Sequence, residues 1–262
     1  MKRRDFLQKA TIAGLGASIL SERTRAADAP ATGRELYAFR NYTLKTANKA
    51  VLDEYLSKAF IPAVHRMGIG PVGVFTENLP PDRLVVYVLT MLQSADQIVS
   101  LSDRLAADGE YQKAAADYLA AKPTDPIFER IESSLHLAIE GMPKLQKPDA
   151  SQARILNLRI YESHNERAAK KKIEMFNLHE LPIFQRVGLT PVFFGETIVG
   201  TSMPNLTYML VFPDDAARAA AWKRFGGDDE WKTLKATPEY ADKEIVSHIT
   251  NKILTPEPYS EI

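Results

Sequence analysis

Residues 61–75, IPAVHRMGIGPVGVF, carry glycines at 68, 70 and 73 in the spacing of a dinucleotide-binding loop. Such a loop follows a strand and opens a helix, so that a pyrophosphate meets free N–H groups at the helix start. Here the order is reversed: an apolar helical pattern precedes the glycines, and the strand-like PVGVF follows them. Gly68 therefore reads as a helix C-terminal glycine needing positive φ, with Pro71 opening the next strand. The stretch also recurs. Displaced by 120 residues, IPAVHRMGIGPV (61–72) lies on LPIFQRVGLTPV (181–192), pairing Pro62 with Pro182, Arg66 with Arg186, Gly68 with Gly188, Pro71 with Pro191 and Val72 with Val192. The second copy lacks the second and third glycines, which removes the nucleotide reading.

The repeat extends in both directions. ELYAFRNY (35–42) matches RILNLRIY (154–161), pairing Arg40 with Arg159 and Tyr42 with Tyr161, and LVVYVL (84–89) matches NLTYML (205–210), placing Tyr87 on Tyr208. Tyr111 on Trp231 continues it. Two long copies indicate domain duplication rather than a solenoid, whose units are shorter and more numerous. The chain then divides into a leader and linker (1–29), a first unit (34–140), a Pro- and Lys-containing connector (141–152) and a second unit (153–258).

Within a unit, residues 35–43 alternate as a strand. Leu52, Tyr55, Leu56, Ala59 and Phe60 form one helix face, which Pro62 interrupts or kinks. Strands at 71–77 and 84–90 are joined by the turn-rich ENLPPD, a second helix opens at Ser94 with Gln97, and 131–139 closes the unit as a last strand. The order is β-α-β-β-α-β, the split ferredoxin-like unit. Its sheet has helices on one face only, so a tandem pair can shelter the two bare faces against each other. The expected fold class is α+β, with two tandem ferredoxin-like (βαββαβ) units forming one eight-stranded barrel. Of the two faces of each first strand, the half-polar one holding Arg40, Tyr42, Arg159 and Tyr161 is expected to turn inward.

The composition, 262 residues with 45% hydrophobic and 25% charged, is that of a globular protein. The N-terminus MKRRDFLQKATIAGLGASIL sets Arg3-Arg4 and Phe6-Leu7 ahead of a short apolar run, the pattern of a twin-arginine export signal. Cleavage is expected between Ala26 and Ala29, with retention as an anchor the alternative, so the expected location is periplasmic or secreted. Removal of residues 1–27 leaves 27 basic residues against 31 acidic ones, a balance that attracts neither nucleic acid nor anionic lipid. The absence of cysteine excludes disulfides, thiolate catalysis and iron–sulfur ligation.

With R-x-Y in the first strand of both copies (Arg40 to Tyr42, Arg159 to Tyr161), the repeated P-x-x-x-R-x-G-x-x-P-V block and the third-strand tyrosine, the chain resembles the NIPSNAP family of the dimeric α+β barrel superfamily over roughly residues 34–258. The resemblance implies the tandem ferredoxin-like fold and a pocket, but no particular reaction; distant superfamily relatives include haem-degrading monooxygenases and small oxygenases.

The candidate ligand-binding residues are Arg40, Tyr42, His65, Arg159 and Tyr161. A buried arginine needs an acidic partner or an anionic ligand held by its fork, and His65 stands where the second copy has Gln185, so one half offers a proton shuttle or haem ligand that the other lacks. Arg66 and Arg186 are expected to bond the last carbonyls of their helices. His136, His164, His179 and His248 show no metal-ligand spacing, so no metal site is expected. There is no G-x-S-x-G, and no serine has the context of a nucleophile. Tyr111, Trp222, Phe225 and Trp231 are expected in the core or at a subunit contact rather than in a cofactor box. Three readings follow: a barrel binding a small anionic or aromatic molecule between its sheets, with catalysis open; a monooxygenase-like or haem-associated enzyme; and a non-catalytic structural or interaction protein. A homodimer through the outer helices is a further expectation.

Overall fold

A computed structural model describes residues 33–262, so the leader expectations lie outside the described residues. Eight antiparallel strands close into one barrel: β1 (Leu36–Lys45), β2 (Val72–Leu79), β3 (Arg83–Leu92), β4 (Arg130–Ala138), β5 (Ile155–Glu162), β6 (Thr190–Val199), β7 (Asn205–Phe212) and β8 (His248–Pro256). Around the barrel they run β1-β3-β2-β8-β5-β7-β6-β4. Each half contributes the order of a ferredoxin-like sheet, β4-β1-β3-β2 and β8-β5-β7-β6. The halves join where β2 meets β8 and β4 meets β6.

The repeated block builds the same device twice. In each unit the first helix passes through a π-helical turn, Tyr55–Phe60 or Phe176–Glu180, just before its proline. Pro62 and Pro182 then occupy the first turn of the following α-helical segment, so neither breaks the helix; a π turn accommodates the ring and the missing N–H there. Both helices end on left-handed glycines, Gly68 at φ 71° and Gly188 at φ 80°. Past each glycine the next N–H reaches back to the helix: Ile69 to the Val64 carbonyl and Leu189 to the Phe184 carbonyl, both 2.9 Å. Arg66 and Arg186 do not bond the last carbonyls. They reach Asp108 and Asp228, which also cap the next helices by accepting from Tyr111 N (3.0 Å) and Trp231 N (3.1 Å). Those cap hydrogen bonds, with the Arg66 and Arg186 guanidinium groups, hold both aspartates below the usual carboxylate range.

Three apolar clusters form the core. One lies between the first sheet and its helices, one between the second sheet and its helices, and the third fills the barrel itself. The barrel cluster contains Tyr37, Phe39, Phe75, Leu89, Leu156, Leu158, Phe193, Met209 and, from the chain end, Ile262. Each such side chain, fully buried, contributes on the order of 1.5–3 kcal/mol.

This placement reverses the expected faces. Leu156 and Leu158 point into the barrel, whereas Arg40, Tyr42, Arg159 and Tyr161 lie on the outer surface of the sheets beneath the helices. The physical reason is that neighbours on that face pair most of their polar atoms: Arg40 Nη1 donates to Tyr42 Oη at 3.3 Å, Tyr208 Oη donates to Tyr161 Oη at 2.9 Å, and the Arg159 guanidinium stacks on Trp222 at 4.5 Å, with Arg159 Nε left without a partner. The pairing of Tyr87 with Tyr208 also fails. Arg40 opposes Val88 on β3, while Arg159 opposes Tyr208 on β7. Val88 is therefore the counterpart of Tyr208, and Tyr87, one residue earlier, faces the barrel interior.

Candidate functional site

The apolar packing fills only part of the barrel. Towards the other part the inward strand positions turn polar: Asn41 and Thr43 on β1, Glu132, Ser134 and His136 on β4, Thr197 on β6, Asn205 and Thr207 on β7, and Thr250 and Lys252 on β8. These residues, with Phe39, Val85, Tyr87, Leu158 and Ile160, surround a cavity of about 260 Å³. That lies near the small end of ligand pockets, roughly 300–1,000 Å³. Thr201 and Ser202 of the β6–β7 turn form part of its rim, with Ser202 in the left-handed region at φ 54°, a conformation that costs a non-glycine residue about 1–2 kcal/mol.

One wall is aromatic, with Phe39 and Tyr87 stacked at 5.6 Å between centroids. Tyr87 Oη donates to Glu77 at 2.7 Å, and Lys252 Nζ donates to the same carboxylate at 2.7 Å. Burial and the Glu77 charge raise the Tyr87 phenol far above its ordinary value, so it stays protonated. Lys252 thus enters the cavity already neutralised. On the neighbouring strand, paired in register with Tyr87, Asn41 has a buried Oδ1 atom with no hydrogen-bond partner, although buried acceptors normally find one.

From β7 through β6 to β4, which borders Phe39 on β1, runs a chain of hydrogen bonds whose direction is fixed from one end. Asn205 Nδ2 donates to the carbonyls of Thr201 (3.2 Å) and Ser202 (2.9 Å), which leaves its Oδ1 as an acceptor. That oxygen takes the hydroxyl hydrogens of Thr197 (2.5 Å) and Thr207 (3.0 Å). With its single hydrogen committed, Thr197 Oγ1 accepts from His136 Nδ1 at 2.9 Å. The imidazole is therefore the Nδ1–H tautomer, assigned from the network, and its Nε2 lone pair faces Ser134 Oγ at 2.7 Å. His136 is 2% exposed, and burial lowers its pKa to about 4, so it is neutral at pH 7. The register of β4 against β6 shifts between Leu135 and His136, and Gly195 makes room for the ring: a Cβ there would stand 2.7 Å from His136 Cβ.

None of the five residues singled out from the sequence lines this cavity. Arg40 and Tyr42 border a small apolar cleft under the first unit's helices, and Arg159 and Tyr161 lie in the second helix layer. His65 sits at a helix end outside the barrel, its Nε2 3.1 Å from Glu261 Oε2. A haem does not fit what is present: both nitrogens of His136 are engaged, and His65 is turned to Glu261. What sequence reasoning missed is Ser134-x-His136, a spacing that puts both side chains on one face of a strand. Their partners Thr197 and Asn205 come from the other unit and meet them only because the barrel closes.

Residues 156–261 match the NIPSNAP family model. Among solved structures, a Fusobacterium nucleatum protein named as a monooxygenase superposes with a TM-score of 0.55 at 10% identity, over 85% of this chain and 92% of its own. An anthrone oxidase-like protein gives a TM-score of 0.51 at 8% identity, over 86% of this chain and 92% of its own. A NIPSNAP-like domain protein from Burkholderia xenovorans covers 42% of this chain and 90% of its own at 19% identity, with a TM-score of 0.38. The sequence matches no curated protein. At these identities the first two show a shared α+β barrel fold alone.

Proposed function

We propose that the protein binds a small uncharged ring compound bearing a hydroxyl or amine hydrogen, held in the polar end of the barrel between its two sheets. The observation that carries this reading is the buried, unpartnered Asn41 Oδ1 beside the Phe39–Tyr87 wall. The Asn41 carboxamide offers hydrogen-bonding groups that no protein side chain takes, and the stacked rings offer an apolar face to a flat partner. Of the two ligand classes expected from the sequence, the aromatic one is supported. The anionic one is not, because the cation lining the cavity is paired with Glu77 and a second carboxylate, Glu132, shares the space. Arg40 and Arg159 act as braces of the helix–sheet layers.

The test is a thermal-shift screen of neutral phenols and anilines against aromatic acids of the same size. A ligand at about 100 times its Kd adds roughly 2.7 kcal/mol, a rise of about 5–10 °C for a domain of this size. The rise is expected for the neutral donors and is lost in Asn41→Leu. Stabilisation by the acids instead, or by donors equally well in Asn41→Leu, overturns the reading.

A further inference from the structure

We infer that Ser134 is a nucleophile and that the same cavity carries out slow acyl transfer from small uncharged aryl esters to water, with His136 as the base. The inference rests on the barrel cavity being the binding site. It is carried by the arrangement around Ser134: a hydroxyl reaching the cavity, 2.7 Å from an imidazole nitrogen whose lone pair is turned to it. The opposite nitrogen is oriented by Thr197, and Thr197 is oriented in turn by Asn205. Nucleophile, base and orienting group in sequence is the pattern of an activated serine. Thr197 and Asn205 are positioning residues. Serine is otherwise held only by a long 3.3 Å approach to the Phe39 carbonyl, so the imidazole is its better hydrogen-bond partner.

In the first step Ser134 Oγ bonds to the ester carbonyl carbon while its proton passes to His136 Nε2. The carbon–oxygen bond to the aryl group breaks, and the aryloxide leaves with that proton as a phenol. In the second step water adds to the acyl-serine, giving its proton to Nε2. The carboxylic acid departs and Ser134 regains its hydrogen. The phenol released is of the class proposed to bind beside Asn41. Because the orienting group is a neutral hydroxyl instead of a carboxylate, the imidazolium formed in transit has little support, and the expected turnover is slow. The titratable groups sharing the cavity with His136 are Glu132, Glu77, Tyr87 and Lys252. Burial keeps the imidazole in its base form far into the acid range, so acylation should proceed at nearly the same rate from pH 5 to pH 8.

The experiment incubates the protein with an aryl fluorophosphonate and with p-nitrophenyl acetate, reading adducts by intact mass and peptide mapping across that pH range. One adduct on the Ser134 peptide is expected. It should be absent in Ser134→Ala, and at least about 100-fold slower to form in His136→Gln, as for loss of a general base. Thermal shift by a neutral phenol, measured on the same preparations, keeps binding separate. If phenol stabilises the protein and Ser134 is not modified, the inference falls and the binding site stands; if neither occurs, both fall. Modification of Ser134 at an unchanged rate in His136→Gln also overturns it.

Discussion

Removing one member of the Lys172–Glu180 pair should damage the protein far more than removing both. Lys172 Nζ lies 2.6 Å from Glu180 Oε1, and each side chain is 2% exposed. The ammonium stands over the rings of Phe176 (4.8 Å), Tyr161 (5.2 Å) and Trp231 (5.8 Å). By the repeat, the first unit has Leu52 and Phe60 at these places, both buried, so the fold itself has an apolar solution. Glu180→Leu alone strands a buried ammonium and should cost about 3–5 kcal/mol, or roughly 6–20 °C in Tm for a chain of this length. Lys172→Met with Glu180→Leu conserves volume and removes both charges; the pair then costs less than about 1.5 kcal/mol. Lys172→Met alone adds a pH signature. Burial already raises the Glu180 pKa, and without its partner the carboxylate folds in only when protonated. The unfolded state releases that proton more readily, so this variant loses stability as pH rises from 5 to 8. Urea melts of the four proteins at both pH values supply the cycle. Single variants costing under about 1 kcal/mol, with a double variant equal to their sum, would refute the argument that the pair is dry and coupled.

Two further outcomes follow from the barrel wall. His136 is neutral when folded, and its pKa of about 4 lies below the ordinary value near 6.5, so the unfolded state binds the extra proton between those values. Its contribution is complete above pH 6.5 and declines as pH falls towards 4, by roughly 3 kcal/mol in all. Denaturant midpoints of the protein and of His136→Gln should therefore diverge across that window, and an imidazole titrating near 6.5 by NMR contradicts the burial argument. Gly195→Ala drives a methyl against the His136 side chain and should cost about 1–3 kcal/mol as overpacking; a loss below about 0.5 kcal/mol in urea melts would mean the ring has room to move.

Much of the scaffold was legible because the repeat doubles every signal. Gly68 and Gly188 end helices, and Pro71 and Pro191 precede or open strands, all features of local backbone chemistry. Facing was not legible. Both surfaces of β1 and β5 are buried, one by the opposite sheet and one by helices, so alternation marks two faces without naming the inner one. Tyr42 and Tyr161 read as half-polar, yet the Arg40 guanidinium donates to the first hydroxyl and Tyr208 Oη to the second under the helices. Arg66 was placed at the right helix end, but its partner Asp108 is a long-range contact. The candidate site was hidden more deeply, since Ser134 and His136 acquire meaning only from Thr197 and Asn205 across the seam between β4 and β6.

The central claim, that a ring compound sits in the polar end of the barrel, is tested most directly by mapping backbone and side-chain amide shifts while a neutral phenol is titrated into the protein. Saturable changes are expected at the Asn41 carboxamide, Phe39, Tyr87 and Ser134, and none in Asn41→Leu. Changes centred on Arg40 and Tyr42, or on Arg159 and Tyr161, with the barrel residues silent, would contradict it.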